Sequence, residues 1–413
     1  MSKYETKILT TPYGKPDAYH ALAMPVYYTA AYEFDSAEGM EAAFCGRSAE
    51  HAYSRISNPT VQYLERRVQA TTGAASVTAL NSGMAAISYV LTAITKTGCN
   101  IVTSRHLFGN TLSYMTDTLG GYGVQTRLAD LTNPAATETA IDNNTCAIFL
   151  EIITNPQMEV ADLQALSDMA HRHHVPLIAD TTIVPFTAFH AKDFGVDIEV
   201  LSSTKYISGG ATGLGGLILD YGSFDWRIST CLPDALQRRA DKLGKLAFTA
   251  RIKTELISNM GAMMTPQVAY METLGLETLD LRYRQQASSA LWLAQQLQEI
   301  TEIKQVTYTG LSGNAYYGLS QKQFGNLPGA MLTIDMTGKE DCYRLMNRLK
   351  TIRRATNLFD HKSLAIHPAS TIFGNYSDTQ RKEMDVKDST IRLSIGLEDP
   401  KDLLDDLKQA IMR

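Results

Sequence analysis

Cysteine is scarce in this 413-residue chain: five residues, Cys45, Cys99, Cys146, Cys231 and Cys342, each dozens of positions from the next. An odd count with no CxxC pair and no zinc-finger spacing excludes a disulfide framework and a structural zinc site, and no metal is expected. No apolar run reaches the ~18 residues of a membrane span. The opening MSKYETKILTTPYGKP lacks the apolar stretch of a signal peptide, so a reducing, cytoplasmic setting is the expectation. An excess of one charge is also missing. With 38 Lys+Arg against 43 Asp+Glu, the net charge of −5 gives no reason to expect nucleic acid or an anionic membrane as partner. Neither GxGxxG nor GxxxxGK[ST] occurs, which removes a dinucleotide fold and a P-loop nucleotide site. Any anion must therefore be held by a local site of another kind.

What remains is ordinary globular composition, 44% hydrophobic and 20% charged, enough for a sizeable core. Residues 1–60 are rich in Tyr, Pro and Ser and poor in periodic hydrophobics, so they are expected to drape over the rest of the chain or over another subunit. From residue 61 the texture changes. VQYLERRVQATTG reads as an amphipathic helix stopped by Gly73, Ser76 to Leu80 as a strand, and Asn81-Ser82-Gly83 as a turn into the helix MAAISYVLTAITK. Short apolar runs follow at 100–104, 147–153, 175–180, 198–203 and 215–220, alternating with helical segments such as 161–174. That alternation predicts a mainly parallel sheet covered by helices, with ligands at the carboxyl ends of its strands. Beyond about residue 255 long helices (279–300, 340–350) mix with strand candidates at 329–336 and 389–396, an α+β pattern.

Residues 199–216, EVLSSTKYISGGATGLGG, carry the most chemistry. Lys205 follows a strand and the hydroxyls of Ser202 and Thr204, then enters a loop with five glycines in the eight positions 209–216. A lysine is a poor nucleophile until it is desolvated or set beside another cation. At a buried strand end it can form a Schiff base, with nearby hydroxyls as phosphate ligands; a surface lysine beside a flexible loop is the plainer alternative. Asp180, at the tip of VPLIAD, is costly without a cationic partner, which a protonated pyridine nitrogen would supply; it could instead cap the next helix. At Asn81-Ser82-Gly83-Met84 a helix start offers free N–H groups and its dipole to an anion, although a tight turn accounts for the glycine equally well. Taken together, Lys205, Asp180 and this helix start are a consistent set for pyridoxal 5′-phosphate. The run His171, His173, His174 reads as a solvated helix end rather than a metal site.

SSTKYISGG is similar to the cofactor-lysine signature of the Cys/Met-metabolism pyridoxal-phosphate enzymes, the group of cystathionine γ-synthase, methionine γ-lyase and O-acetylhomoserine sulfhydrylase. The resemblance runs from about residue 20 to the C-terminus through AYSRISNPT (52–60), NSGMAAI (81–87), EIITNP (151–156), ADTT (179–182), SSTKYISGG, IHPAST (366–371) and IRLSIGLED (391–399), in that order. It implies an α/β, type I (aspartate aminotransferase-like) fold with a mainly parallel central sheet and a smaller α+β C-terminal domain. The expected division is an arm, 1–60, touching a neighbouring subunit, a large cofactor domain, 61–255, and a C-terminal domain, 256–413. A homotetramer of two catalytic dimers with shared sites is also implied. Residue by residue, Lys205 would be the Schiff-base lysine and Asp180 the partner of the ring nitrogen. Gly83, Met84, Ser202 and Thr204 would bind the phosphate, joined by Tyr53 and Arg55 from the neighbouring subunit, with Tyr53 also catalytic. Phe108 would stack on the ring, Asn155 would contact ring oxygen or substrate carboxylate, Asn357 would touch the substrate, and Arg392 would clamp the α-carboxylate.

The segments 215–226 and 355–371 resemble the O-acetylhomoserine sulfhydrylase branch most. Methionine γ-lyases usually carry a cysteine where this chain has Asn110. Phe108 itself departs from the family's tyrosine and has no proton to donate. Phe359, His361 and Phe373 are further departures, expected to shape the substrate pocket. The implied reaction is γ-replacement on O-acetyl-L-homoserine by sulfide or methanethiol, through a vinylglycine-type ketimine, giving homocysteine or methionine and acetate. The alternatives are a γ-lyase releasing 2-oxobutanoate and ammonia, and a pyridoxal-phosphate carrier without turnover.

Overall fold

The helix Pro59–Thr72 shows how local chemistry sets an element's limits. Asn58 accepts a hydrogen bond from the Thr60 N–H, a proline opens the first turn, and Gly73, at φ 69°, closes the helix in the left-handed region. Tyr63, Leu64, Arg67, Val68 and Thr71 form its buried stripe. The computed structural model describes residues 3–13 and 17–411; the outermost residues of the expected arm and Lys15 and its neighbours lie outside them.

Seven strands form the larger sheet: β1 (Ser76–Leu80), β2 (Asn100–Thr103), β3 (Gln125–Leu128), β4 (Thr145–Glu151), β5 (Leu177–Asp180), β6 (Ile198–Leu201) and β7 (Gly216–Asp220). Their spatial order is β1-β7-β6-β5-β4-β2-β3. From β3 to β6 every pairing is parallel; β7 runs antiparallel to both its neighbours. The sheet is thus mixed, with a parallel centre. Alternate residues of β4 enter two different cores, Ile148 and Leu150 on one face, Ala147 and Phe149 on the other. That two-sided burial is why these strands read as unbroken apolar runs. A second sheet has β8 (Gln305–Thr307), β9 (Met331–Asp335), β10 (Arg353–Arg354), β11 (Leu364–Ile366) and β12 (Thr390–Ser394), ordered β10-β11-β12-β9-β8.

Two parts of the fold differ from the periodicity. The N-terminal segment contains the helices Tyr4–Thr10 and Ala37–Phe44. The first is held by tertiary contacts: Ile8 is fully buried, Arg67 donates to the Ile8 carbonyl at 2.6 Å, and the Tyr4 hydroxyl to the Leu276 carbonyl at 2.9 Å. Tyr19, Leu22 and Tyr28 of the same segment stay exposed. The edge strand β3 has no apolar run to mark it, because its side chains are partly exposed and mixed in polarity. Among the described residues no helix is long and apolar enough to cross a membrane, and no group of three or more His, Cys, Asp or Glu could hold a metal ion.

Candidate active site

Three neighbouring parallel strands deliver polar groups at their carboxyl ends. Glu151 ends β4, Asp180 ends β5 directly beside it, and Ser202 follows the last residue of β6. They border a cavity of about 440 Å³ that is also lined by Gly83, Met84, Phe108, Asn155, Thr204, Lys205 and Arg392. Parallel strands all point the same way, so such groups converge at one edge of the sheet.

The helix Gly83–Ile94 starts at this edge. Ser82 caps it, accepting from the Ala85 N–H at 3.1 Å. A Cβ on Gly83 would sit 2.7 Å from Cβ of Ser202, and one on Gly216 would sit 2.1 Å from the Ser82 carbonyl oxygen. Both glycines are therefore required by close approach, and the helix start and the Ser202 turn form one narrow cradle. The Thr204 hydroxyl accepts from the Gly215 N–H at 3.0 Å and donates to its carbonyl at 3.2 Å, fixing the glycine-rich loop.

Charge in the cavity is closely managed. Asp180 Oδ1 accepts from both the N–H (2.9 Å) and the hydroxyl (2.6 Å) of Thr182, whose oxygen in turn accepts from the Ser202 N–H at 2.9 Å. Burial raises the Asp180 carboxyl, opposed by Thr182 and by Lys205. Glu151, buried and next to Asp180, is raised well above the usual carboxylate range although the Phe108 N–H donates to it at 2.5 Å. Two carboxyls so close cannot both ionise readily, and of the two Glu151 is the more strongly raised. Burial, reinforced by the Arg392 guanidinium and opposed by Asp180, pulls the Lys205 amine down to about 8. Its Nζ donates to Asn357 Oδ1 at 2.8 Å. Arg392 is 2% exposed, and burial lowers it to about 9. It donates to Asn155 Oδ1 at 3.3 Å and to the Asn357 carbonyl at 3.1 Å, while its buried Nε has no partner among the described residues.

These features fit pyridoxal phosphate and an amino acid. The glycine cradle at a helix start suits a phosphate, the softened lysine an aldehyde, and the buried Asp180 carboxylate a cationic ring nitrogen. The unpartnered Nε of a buried guanidinium suits a carboxylate.

Most of the residues picked from the sequence meet here: Gly83, Met84, Phe108, Asn155, Asp180, Ser202, Thr204, Lys205 and Arg392 line the cavity, and Asn357 touches two of them. Tyr53 and Arg55 do not line it. Tyr53 is 41% exposed, with the Arg55 guanidinium 5.4 Å from its ring centre and donating to the Ser258 carbonyl. Phe359 and Phe373 correct an expectation: both are fully buried in the core, and the cavity is lined instead by their neighbours Leu358 and Ile372. Phe359 stacks on Tyr206 at 4.2 Å, and His361 donates its N–H to the Gly209 carbonyl, so these positions support the lysine turn from behind. Glu151 and Thr182 were overlooked. Glu151 carried the signal that exposed Asp180, an acid in an apolar run, but two further isoleucines after it hid the strand end.

The family model for Cys/Met metabolism PLP-dependent enzymes matches residues 5–412. The chain is 32% identical to O-acetyl-L-homoserine sulfhydrylase of Corynebacterium glutamicum, over 93% of this chain and 91% of that protein. It is equally 32% identical to L-methionine gamma-lyase of Pseudomonas putida, over 99% and 97% of the two chains. A crystal structure described as an O-acetylhomoserine (thiol)-lyase of Campylobacter jejuni superposes with a TM-score of 0.95 at 32% identity, covering 100% of both chains. That protein carries N′-pyridoxyl-lysine-5′-monophosphate at its own position 205. With the whole fold and almost the whole sequence matched, this chain belongs to the Cys/Met metabolism family of pyridoxal-phosphate-dependent enzymes.

Proposed function

We propose that this enzyme performs γ-replacement on O-acetyl-L-homoserine, with sulfide or methanethiol entering and acetate leaving, so that homocysteine or methionine is formed. The observation that carries the reading is the presence of Phe108 and Arg392 in one cavity. Arg392 offers an amino acid's carboxylate a buried guanidinium with an unused Nε. Phe108 offers no proton. A carboxylate with a pKa of about 4 departs without one, whereas a thiol with a pKa of about 8.5 departs more easily when protonated. The named sulfhydrylase relatives support the same reading.

In this reading Lys205, Asp180, Gly83, Met84, Ser202 and Thr204 hold pyridoxal phosphate, with Phe108 against its ring; the lysine adduct in the Campylobacter protein supports the choice of lysine. When bound, the cofactor supplies an electron sink for the pair left on the α-carbon. Arg392, with Asn155 and Asn357 beside it, orients the substrate through its carboxylate. Lys205, lowered to about 8, has a usable unprotonated fraction near neutral pH and takes the α-proton. Asp180, aimed by Thr182, keeps a negative charge facing the ring nitrogen. Tyr53 and Arg55, which do not line their own cavity, serve that of a neighbouring copy reached by the arm 1–60, which makes a dimer the smallest active unit and a pair of dimers the assembly.

Elimination is the second reading, favoured by the equal likeness to methionine gamma-lyase. Both reactions share every step until the γ-substituent has left. Product analysis on O-acetylhomoserine with and without sulfide separates them. Homocysteine and acetate are expected with sulfide; 2-oxobutanoate and ammonia as the main products under that condition would overturn replacement.

A further inference from the structure

Asn357 stands between the two cations of the cavity. Its side-chain oxygen accepts from Lys205 Nζ at 2.8 Å and its backbone carbonyl accepts from Arg392 Nη2 at 3.1 Å. The other end of the amide, Nδ2, faces Asp360 Oδ2 at 3.5 Å, which turns Oδ1 toward the lysine. Asp360 is itself 5% exposed and bound to Lys362, so this support is part of the fold rather than a mobile surface group.

We infer that Asn357 is a positioning residue for the free Lys205 amine, holding it without a charge while it acts as a base. The inference rests on the reading above, in which the lysine is alternately linked to the cofactor and free. A free lysine ends a flexible four-carbon stem with many rotamers, and a base must be held within hydrogen-bond reach of the proton it takes. The neutral amine has one lone pair. By donating one N–H to an amide oxygen it is fixed in place with the lone pair still available. That pair takes the α-proton, the electrons of the C–H bond stay on the substrate, and the ammonium formed still donates to the same oxygen. When the proton is handed on, the amine is again neutral and still held.

The neutrality of the acceptor is the important property. Lys205 already faces Arg392 from β12, the carboxylate of Asp180 on β5 and, at the end of β4, Glu151; Asp360 stands behind the amide. A carboxylate in place of the amide would add an attractive charge in contact with the amine and trap it as ammonium. An apolar side chain would release it.

The test uses the full-length holoenzyme in four forms: wild type, N357L, N357S and N357D. Borohydride reduction followed by peptide mass spectrometry first locates the cofactor. Failure to find an adduct on Lys205 of the wild type overturns the assignment of that lysine and the inference with it. With the adduct present, each form is stripped of cofactor and the acetylation rate of Lys205 by acetic anhydride is followed against pH by mass spectrometry. In N357D the midpoint rises by about one pH unit, so labelling at pH 7.5 slows about tenfold. In N357L the midpoint falls and labelling quickens about threefold, while N357S, which keeps a hydroxyl acceptor, lies between wild type and N357L. The acid limb of kcat in the loaded enzymes moves in the same directions. Should N357L fail to fold, N357S against N357D still spans an expected tenfold difference. Equal midpoints in all folded forms overturn the inference, whatever happens to turnover, and leave the assignment of Lys205 standing.

Discussion

On the cavity side of the turn that carries Lys205 lie Asp180 and Glu151; behind the same turn lie two other buried carboxyls, Glu199 and Glu272. Glu199, on β6, accepts from the Thr181 hydroxyl at 2.5 Å and from the Tyr221 hydroxyl, and burial lifts it to about 7. Glu272, on the helix Pro266–Glu277, accepts from the Ser203 hydroxyl at 2.8 Å and is lifted by burial to about 8. All four are displaced from ordinary carboxylate behaviour by the same cause. Of the four, the front pair lines the cavity of about 440 Å³ and the rear pair does not. The rear pair is enclosed by packing, and Ser203 donates to Glu272 while its neighbours Ser202 and Thr204 line the cavity. A shifted acid therefore marks burial first; it marks a site only where unmatched groups converge on open space.

The comparison can be broken from either side. The largest effect is expected at the front. In R392L the substrate carboxylate loses its charge-assisted bonds, and kcat/KM for O-acetylhomoserine falls about 10³-fold, mostly through KM; steady-state kinetics showing a loss under tenfold would remove Arg392 from substrate binding. F108Y comes next. Restoring a phenol should raise elimination from methionine about tenfold or more, with a smaller change for the acetyl ester; equal rates before and after would sever the missing hydroxyl from the choice of leaving group.

The smallest effect on turnover belongs to the rear. E272Q keeps the acceptor for Ser203 and removes a titrating proton, so activity stays within about twofold. Its signature is in stability. Because the folded-state value of Glu272, about 8, lies above that of the unfolded chain, its contribution is complete below the unfolded value near 4.5 and is lost as pH rises through about 8. Denaturation midpoints measured at pH 5, 7 and 9 should fall with pH less in E272Q than in wild type. Parallel profiles would mean that Glu272 is ionised in the folded protein.

The parts of the site that could be read from the sequence were short and local. The strand VPLIAD ending in Asp180, the lysine after a strand, and a serine–glycine helix start each fit within a few residues. Leu358 and Ile372 could not be read in that way. Successive side chains in an extended or turning segment point to opposite sides, so the aromatic departures Phe359 and Phe373 drew attention while their smaller neighbours reached the cavity. The helix Tyr4–Thr10 has the same explanation at another scale. Seven residues are too few to be helical alone, and packing against Arg67 and Leu276, distant in the chain, holds them.

Amino-acid order, through local patterns and the family resemblance they carry, was enough to choose the cofactor chemistry: a lysine after a strand, a strand-end acid and a glycine-bearing helix start each fit within a few residues. Folding alone chose which distant groups would answer them. Asn357 lies 152 positions from Lys205, and Arg392 lies 237 positions from Asn155. No local pattern encodes such distances: they exist because the loop before β11 and the strand β12 close over the carboxyl ends of β4 to β6. Whether a buried charge becomes a tool or a piece of packing was settled there, by what space the assembled layers left beside it.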